Sequence, residues 1–515
     1  MKARRVDPVL AAVVAAGGVL RFWGLGGQSL WYDEWMTSEA AARGTLPELA
    51  RHVAHREGTP PLYFGLVWMW VRLFGDSDVA LRSISALVGV ATVPVAYAIV
   101  RTLGGGRTVA RVAALLVAVN PMLVWYAQEA RAYSLVAFLG ALSFLAFARI
   151  WSAGGRLAVE RRPDLVAWAL LSALLVAVHY FALFLVVVEG VALLVRWPGE
   201  WRSLLLAAVP SAVVLALLAP VAATQHSHET NRRWIAGFSL DTRLGEAGRS
   251  SLVGPSSPDG RLWIAVAAVV ALAALLALVA VAAPAATRSL SSSPSPAAAA
   301  LAGGVGAAAL VLPVVLAATG VEDVVLGRYL VASLVPLAVA VAMGLFAAGP
   351  RWLGGAGVAL VTVVSLSVVV AVQRDPDLQR PDWRQVAAVD EAGDADRALV
   401  VNVGGIIARP LLRYLDDARA MAGGETARVD EIDVLYVSPT SRPCDFLVGR
   451  ACGFLFLGSP PPEPLASQLT LVERIELPQF AIERYRAEDG PLRVSRDDLV
   501  AADQRSGALV LVPAD

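Results

Sequence analysis

The chain has little charge and few cysteines, and both scarcities exclude function classes. Only 17% of its 515 residues are charged, against roughly 25% in an average soluble domain. Lysine plus arginine (43) balances aspartate plus glutamate (43), so there is no basic field of the kind that draws nucleic acid. Two cysteines, Cys444 and Cys452, are too few for a disulfide scaffold or a cysteine-based zinc site. A single structural bond between them stays open. The sequence has no P-loop, no dinucleotide fingerprint and no internal repeat of the transporter kind.

What it has is apolar surface. Hydrophobic residues make up 57% of the chain and mean hydropathy is +0.62. The excess falls in blocks of about 20 residues, the length that crosses a bilayer core. The reading is a polytopic α-helical membrane protein with about 11 transmembrane helices. They are expected near 8–25, 81–101, 109–126, 132–150, 165–179, 181–197, 203–223, 261–284, 298–319, 329–348 and 352–373. Lys2, Arg4 and Arg5 precede the first block with no small-residue cleavage site after it, so it reads as a retained helix. With the N-terminus in the cytoplasm, Arg101, Arg107, Arg149, Arg161, Arg162, Arg196, Arg202, Arg288 and Arg351 all fall inside.

That orientation depends on residues 60–75. They are apolar but short and contain Arg72. Counting them as a span would put the arginine clusters outside, so they read as an interfacial helix within one outer loop, 26–80. The expected division is a transmembrane domain over 1–373 and a soluble extracytoplasmic α/β domain over 374–515. In that domain strands are expected at 398–403, 432–437 and 453–457, and helices at 382–392 and 407–421. Residues 289–297 read as a flexible inner linker and 224–260 as a second outer loop.

The polar residues at the expected outer helix ends carry the chemistry. Trp31-Tyr32-Asp33-Glu34 follows the first span. Two adjacent carboxylates there serve helix capping, or a general base, or a metal. Gln128, Glu129 and Arg131 sit between the third and fourth spans, where a charge needs a partner or a function. A Glu129–Arg131 pair is one reading; an Arg131 fork holding a phosphate is the other. His179-Tyr180 interrupts an apolar run, and Arg328-Tyr329 offers a second phosphate ligand. His226, His228 and Glu229 are a loosely spaced metal-like set.

Together these pieces resemble the GT-C membrane glycosyltransferases, in particular the protein O-mannosyltransferase and lipid A aminoarabinose transferase branch. The resemblance is carried by Leu30-Trp31-Tyr32-Asp33-Glu34, Thr59-Pro60-Pro61-Leu62-Tyr63, residues 80–89, residues 125–133, His179-Tyr180-Phe181 and Arg328-Tyr329-Leu330. It spans 20–190 and extends more weakly to about 345; the C-terminal region lies outside it. It implies a polyprenyl-phosphate-linked sugar as donor, a glycan, lipid or protein hydroxyl as acceptor, inversion at the anomeric carbon and no nucleotide. It implies catalytic roles for Asp33 and Glu34, with Asp33 as base, and donor-phosphate roles for Arg131 and Arg328. Trp31, Tyr32, Glu57, Tyr63, Gln128, Glu129, Tyr133, His179, Tyr180 and Tyr329 are expected to line one extracytoplasmic substrate cavity. No cofactor is called for; a divalent metal stays open, with its ligands unknown. Few lysines among many alanines, arginines and valines suggest a high-GC bacterium, hence a bacterial cytoplasmic membrane with the active site outside. The competing readings are a transporter or flippase of lipid-linked sugars and a non-catalytic membrane scaffold.

Overall fold

The computed structural model describes residues 7–153, 161–227, 235, 237–258, 261–282, 295–320, 325–347, 350–391, 396–401, 405–438, 461–463, 465–500 and 508–514. It divides into two compact units: Met1–Leu25 with Thr37–Val370, and Gly26–Met36 with Ala371–Asp515. The acidic segment, read from sequence as part of the first outer loop, therefore belongs by its contacts to the second unit.

The helices up to the first unit's end are α1 (Pro8–Phe22), α2 (Tyr32–Ala41), α3 (Leu46–Arg56), α4 (Leu62–Phe74), α5 (Asp78–Thr102), α6 (Arg107–Val119), α7 (Pro121–Ala127), α8 (Tyr133–Trp151), α9 (Arg162–Val178), α10 (Leu183–Arg196) and α11 (Trp201–Ser227). Then come α12 (Leu240–Val253), α13 (Leu262–Ala282), α14 (Pro296–Ala318), α15 (Leu334–Gly344) and α16 (Arg351–Arg374). A helix lies over each expected span. Among the described residues, seven segments are long and apolar enough to cross a bilayer, and eight when the bent α6–α7 pair counts as one. This is a multi-pass membrane protein.

The α6–α7 bend of 55° sits at Asn120-Pro121. Proline cannot donate to the preceding turn and its ring crowds that turn's carbonyls. The freed carbonyls still need donors. Arg21 of α1 supplies them, fully buried, with Nη1 on the Ala118 carbonyl at 2.8 Å and Nη2 on the Val117 carbonyl at 3.0 Å. Gly89 makes room: a Cβ there would stand 3.0 Å from Arg21 Nε and 2.9 Å from Ala127 Cβ.

A second polar clamp joins three neighbouring helices. Glu189 of α10 is fully buried. Its Oε2 accepts from the Ser143 hydroxyl of α8 at 2.6 Å and from the Trp168 indole of α9 at 2.8 Å. Ser172 of α9 stands 3.3 Å from Ser143 Oγ.

The second unit holds a six-stranded mixed sheet, formed by β1 (Arg397–Val401), β2 (Ala418–Ala420), β4 (Glu431–Val437), β5 (Leu469–Glu476), β6 (Phe480–Ala487) and β8 (Leu509–Pro513) in the order β2-β8-β1-β4-β6-β5. β3 (Thr426–Val429) and β7 (Leu492–Ser495) make a separate pair. Among the described residues, β1 and β4 are the one parallel pair. Side chains alternate across a strand, so Leu399 and Val401 pack on one face with Trp383 of α17 (Trp383–Asp390), while Ala398 and Val400 pack on the other with Ile432 and Val434. The strand expected at 432–437 is present, a strand covers 398–401 of 398–403, and a helix covers 383–390 of 382–392. The expected helix over 407–421 is not: a short helix and a 3-10 turn end at Arg413, and β2 follows. Pro410 removes a donor there, and pairing with β8 decides the rest. The expected strand at 453–457, Cys444 and Cys452 lie outside the described residues.

Where strands pair, charges are matched too. Arg484 faces Asp433 across β6 and β4 with a forked pair at 2.9 and 2.7 Å. Arg397 reaches Glu431 at 2.7 Å. Asp390, at the end of α17, stands beside this network: burial, then the Asp433 charge, push its carboxyl up to about 7.

Two outcomes test this packing. Glu189→Gln keeps an acceptor for Ser143 and Trp168, so unfolding temperature stays close to wild type. Glu189→Leu strands both donors, at a cost of about 1–3 kcal/mol each, read by thermal unfolding in detergent. Asp390 holds its proton more tightly folded than unfolded, so its stabilising contribution is present at low pH and lost as pH rises through about 7. The margin of Asp390→Asn over wild type is expected to widen by on the order of 2–3 kcal/mol between pH 5 and pH 8.5. Equal stability at both pH values would contradict the assignment.

Candidate active site

In the first unit, one end of α8, α9, α10 and α11 gathers the polar residues singled out in the sequence. Tyr133 opens α8, His179 closes α9, and the turn Tyr180–Ala182 leads into α10. The rings form a chain. Tyr126 and Tyr133 lie 4.7 Å apart, Tyr133 and His179 6.1 Å, and His179 and Tyr329 5.3 Å. Phe181 stacks flat on Tyr329 at 4.7 Å and 8°. His179 Nδ1 accepts the Phe181 amide at 3.3 Å; that bond fixes the proton on Nε2 in the neutral ring. The Arg328 guanidinium lies 5.6 Å from the Tyr329 ring centre. Rings with a guanidinium beside them suit a sugar ring and a phosphate.

Arg131 is held differently. Its Nη1 and Nη2 meet the two Glu57 oxygens at 2.9 Å each, and Nη1 also donates to the Thr37 hydroxyl at 3.3 Å. The side chains are 10% and 4% exposed, and Phe64 lies 5.5 Å from the guanidinium. The fork is thus closed on a carboxylate 74 positions upstream. An incoming phosphate would share Arg131 with Glu57 or displace it.

The other predicted residues of this unit hold the frame. Gln128 Nε2 donates to the Leu20 and Trp23 carbonyls at 3.1 and 2.7 Å, capping the end of α1. Tyr63 is buried, with its hydroxyl 3.4 Å from Ser85 Oγ, which donates to the Arg131 carbonyl at 3.3 Å. Tyr180 donates to Gln225 Oε1 at 3.0 Å, and Gln225 Nε2 reaches the Thr59 carbonyl at 2.9 Å. Glu129 is buried beside Gln128.

Sequence reasoning missed Arg243. It is 2% exposed on α12, and its Nε donates to the Phe238 carbonyl at 3.0 Å. One turn later Ala247 packs against the start of the Gly327–Ser333 turn that carries Arg328. A Cβ at Gly327 would stand 3.1 Å from Ala247 Cα. Arg243 falls in 224–260, read from sequence as a second outer loop, where the structure forms α12.

In the second unit, Trp31-Tyr32-Asp33-Glu34 forms the entry to α2. Glu34 is fully buried. Its Oε2 accepts the Trp31 amide at 3.4 Å and stands 3.9 Å from Arg380 Nε. Asp33 is half-buried. Tyr32 stacks on Trp35 at 6.0 Å.

Among the described residues no group of three or more His, Cys, Asp or Glu side chains is placed to hold a metal ion. His228 and Glu229 of the loose metal-like set lie outside the described residues. His52 of α3 is kept neutral: burial, then Arg43 and Arg56, push its imidazole down to about 4.

The Arg131–Glu57 fork predicts a clear energetic signature. Arg131→Met leaves Glu57 buried and unpaired and lowers stability by about 3–5 kcal/mol. Adding Glu57→Leu recovers most of it in a double-mutant cycle of unfolding free energies. Additive losses would contradict the pairing.

Compared with protein-family models and with curated proteins, the chain matches none. Solved structures do match. ArnT from Cupriavidus metallidurans, bound to undecaprenyl phosphate, aligns at TM-score 0.49 and 17% identity over 73% of this chain and 68% of that one. The S. cerevisiae protein O-mannosyltransferase Pmt1-Pmt2 complex, bound to the sugar donor, aligns at 0.35 and 20% over 45% and 34%. The Archaeoglobus fulgidus oligosaccharyltransferase AglB, with an inhibitory peptide and a dolichol-phosphate, aligns at 0.41 and 13% over 75% and 58%. These are GT-C glycosyltransferases, and it is to them that the chain is similar.

Proposed function

We propose that the protein is a glycosyltransferase. It moves a sugar from a polyprenyl-phosphate-linked donor to an acceptor hydroxyl on the outer face of a bacterial cytoplasmic membrane. The observation that carries this reading is the row of rings Tyr133, His179, Tyr329 and Phe181 with Arg328 beside it, at one end of otherwise apolar helices. The opposite ends of α8 to α11 carry Arg149, Arg162, Arg196 and Arg202, which favours the cytoplasm for that side.

The acceptor oxygen attacks the anomeric carbon as the carbon–oxygen bond to the phosphate breaks. The acceptor proton passes to Asp33. The leaving polyprenyl phosphate takes the electron pair, and guanidinium groups offset its charge. Arg328 serves this role, Arg243 lies near the turn that carries it, and Arg131 contributes through its Glu57-held fork. A single displacement inverts the sugar.

The test uses purified full-length protein in detergent with polyprenyl-phosphate sugars extracted from the host's own membranes. An enzyme consumes donor without two compartments, whereas a flippase or a scaffold leaves it intact. Asp33→Asn is expected to lower turnover by about a hundredfold or more. Arg328→Ala is expected to raise KM for the donor by about tenfold. Full turnover by Asp33→Asn would remove that carboxylate from the chemistry.

A further inference from the structure

The segment 26–31 has neither helix nor strand to satisfy its backbone. Trp31 pairs locally with Glu34 and Trp35, while 26–30 find partners 352 to 384 positions later, all within the second unit. The Leu30 amide donates to the Tyr414 hydroxyl at 2.7 Å. Ser29 Oγ donates to Asp382 Oδ1 at 3.0 Å and accepts the Arg384 amide at 3.1 Å. Arg384 Nη1 donates to the Gly26 carbonyl at 2.9 Å. Arg380 reaches Gln28 Oε1 through its amide at 3.2 Å and Nη1 at 3.3 Å. These bonds fix both the backbone and the side chains of the strip that leads into Asp33.

The two carboxylates are adjacent, and neighbours on a helix do not share a face. Glu34 turns inward, has no exposed surface and stands 3.9 Å from the buried Arg380 guanidinium. Asp33 is half-buried, so part of its surface reaches solvent. A buried carboxylate facing an arginine suits anchoring, because losing that partner leaves an uncompensated charge. A half-buried carboxylate next to it suits proton transfer.

We infer that the second unit is a positioning device for the acidic segment. Glu34, Arg380, Arg384 and Tyr414 are positioning residues, and Asp33 is the carboxylate they present. This rests on the reading of Asp33 as base. It divides the Asp-Glu pair into one group that acts and one that holds, and it gives the C-terminal domain a part in the reaction. An error of about 1 Å in a reacting group can cost on the order of a hundredfold in rate, so a rigid mount has kinetic value.

The experiment uses full-length protein and the variants Tyr414→Phe and Arg384→Gln, which remove single bonds at the seam. Hydrogen exchange is followed on peptides covering 26–36. The expected result is exchange about tenfold faster there, with peptides from α8 and α9 unchanged. Turnover of the extracted donor pool is measured on the same preparations. The expected result is kcat lower by about tenfold or more with KM for the donor within about twofold. Unchanged exchange at 26–36 overturns the anchor. Faster exchange with unchanged kcat overturns its link to the chemistry. Asp33→Asn is run alongside: if it turns over fully, the base assignment has failed, while the exchange result still stands or falls alone.

Discussion

A charged side chain inside an apolar helix bundle must find its counterpart, and the Arg131–Glu57 fork shows that constraint at its strictest. Two parallel bonds at 2.9 Å, almost closed to solvent, tie the turn before α8 to the end of α3. The same rule sets Arg21 on the carbonyls freed at the α6–α7 bend, Gln128 on the end of α1, and Ser143 and Trp168 on Glu189. In a medium without water, each broken backbone turn and each buried carboxylate recruits a partner from another helix. The helix ends are thereby held in register, and the ring row of Tyr133, His179 and Tyr329 is a consequence of that register.

The second unit solves a related problem in a different way. Its sheet buries apolar side chains on both faces and pairs its charges across strands, Arg484 with Asp433 and Arg397 with Glu431. The strip 26–30 has no ladder to join, so Arg380, Asp382, Arg384 and Tyr414 serve as its partners. The segment that carries Asp33 and Glu34 is thus bonded to residues far along the chain.

Much of the membrane architecture was legible in the sequence because bilayer length is a strict filter. Apolar blocks of the right size gave the helices. His179 and Tyr329 stood out because polar groups are rare in such segments. What could not be read was pairing over distance. Nothing local in Arg131 points to Glu57 rather than Glu129, and nothing in Gly26–Met36 points to residues beyond 370. The helix expected over 407–421 failed because β2 is a three-residue strand defined only by its neighbour β8. β5 was invisible because, at the sheet edge, it shows water most of its side chains.

The central claim is a single displacement at an anomeric carbon, driven by one presented carboxylate. The most direct test is the anomeric configuration of the first product, read by NMR after one turnover of the extracted donor pool with a defined acceptor. Inversion relative to the donor is the expected result. Retention of configuration, or release of sugar to water without transfer, would contradict the account.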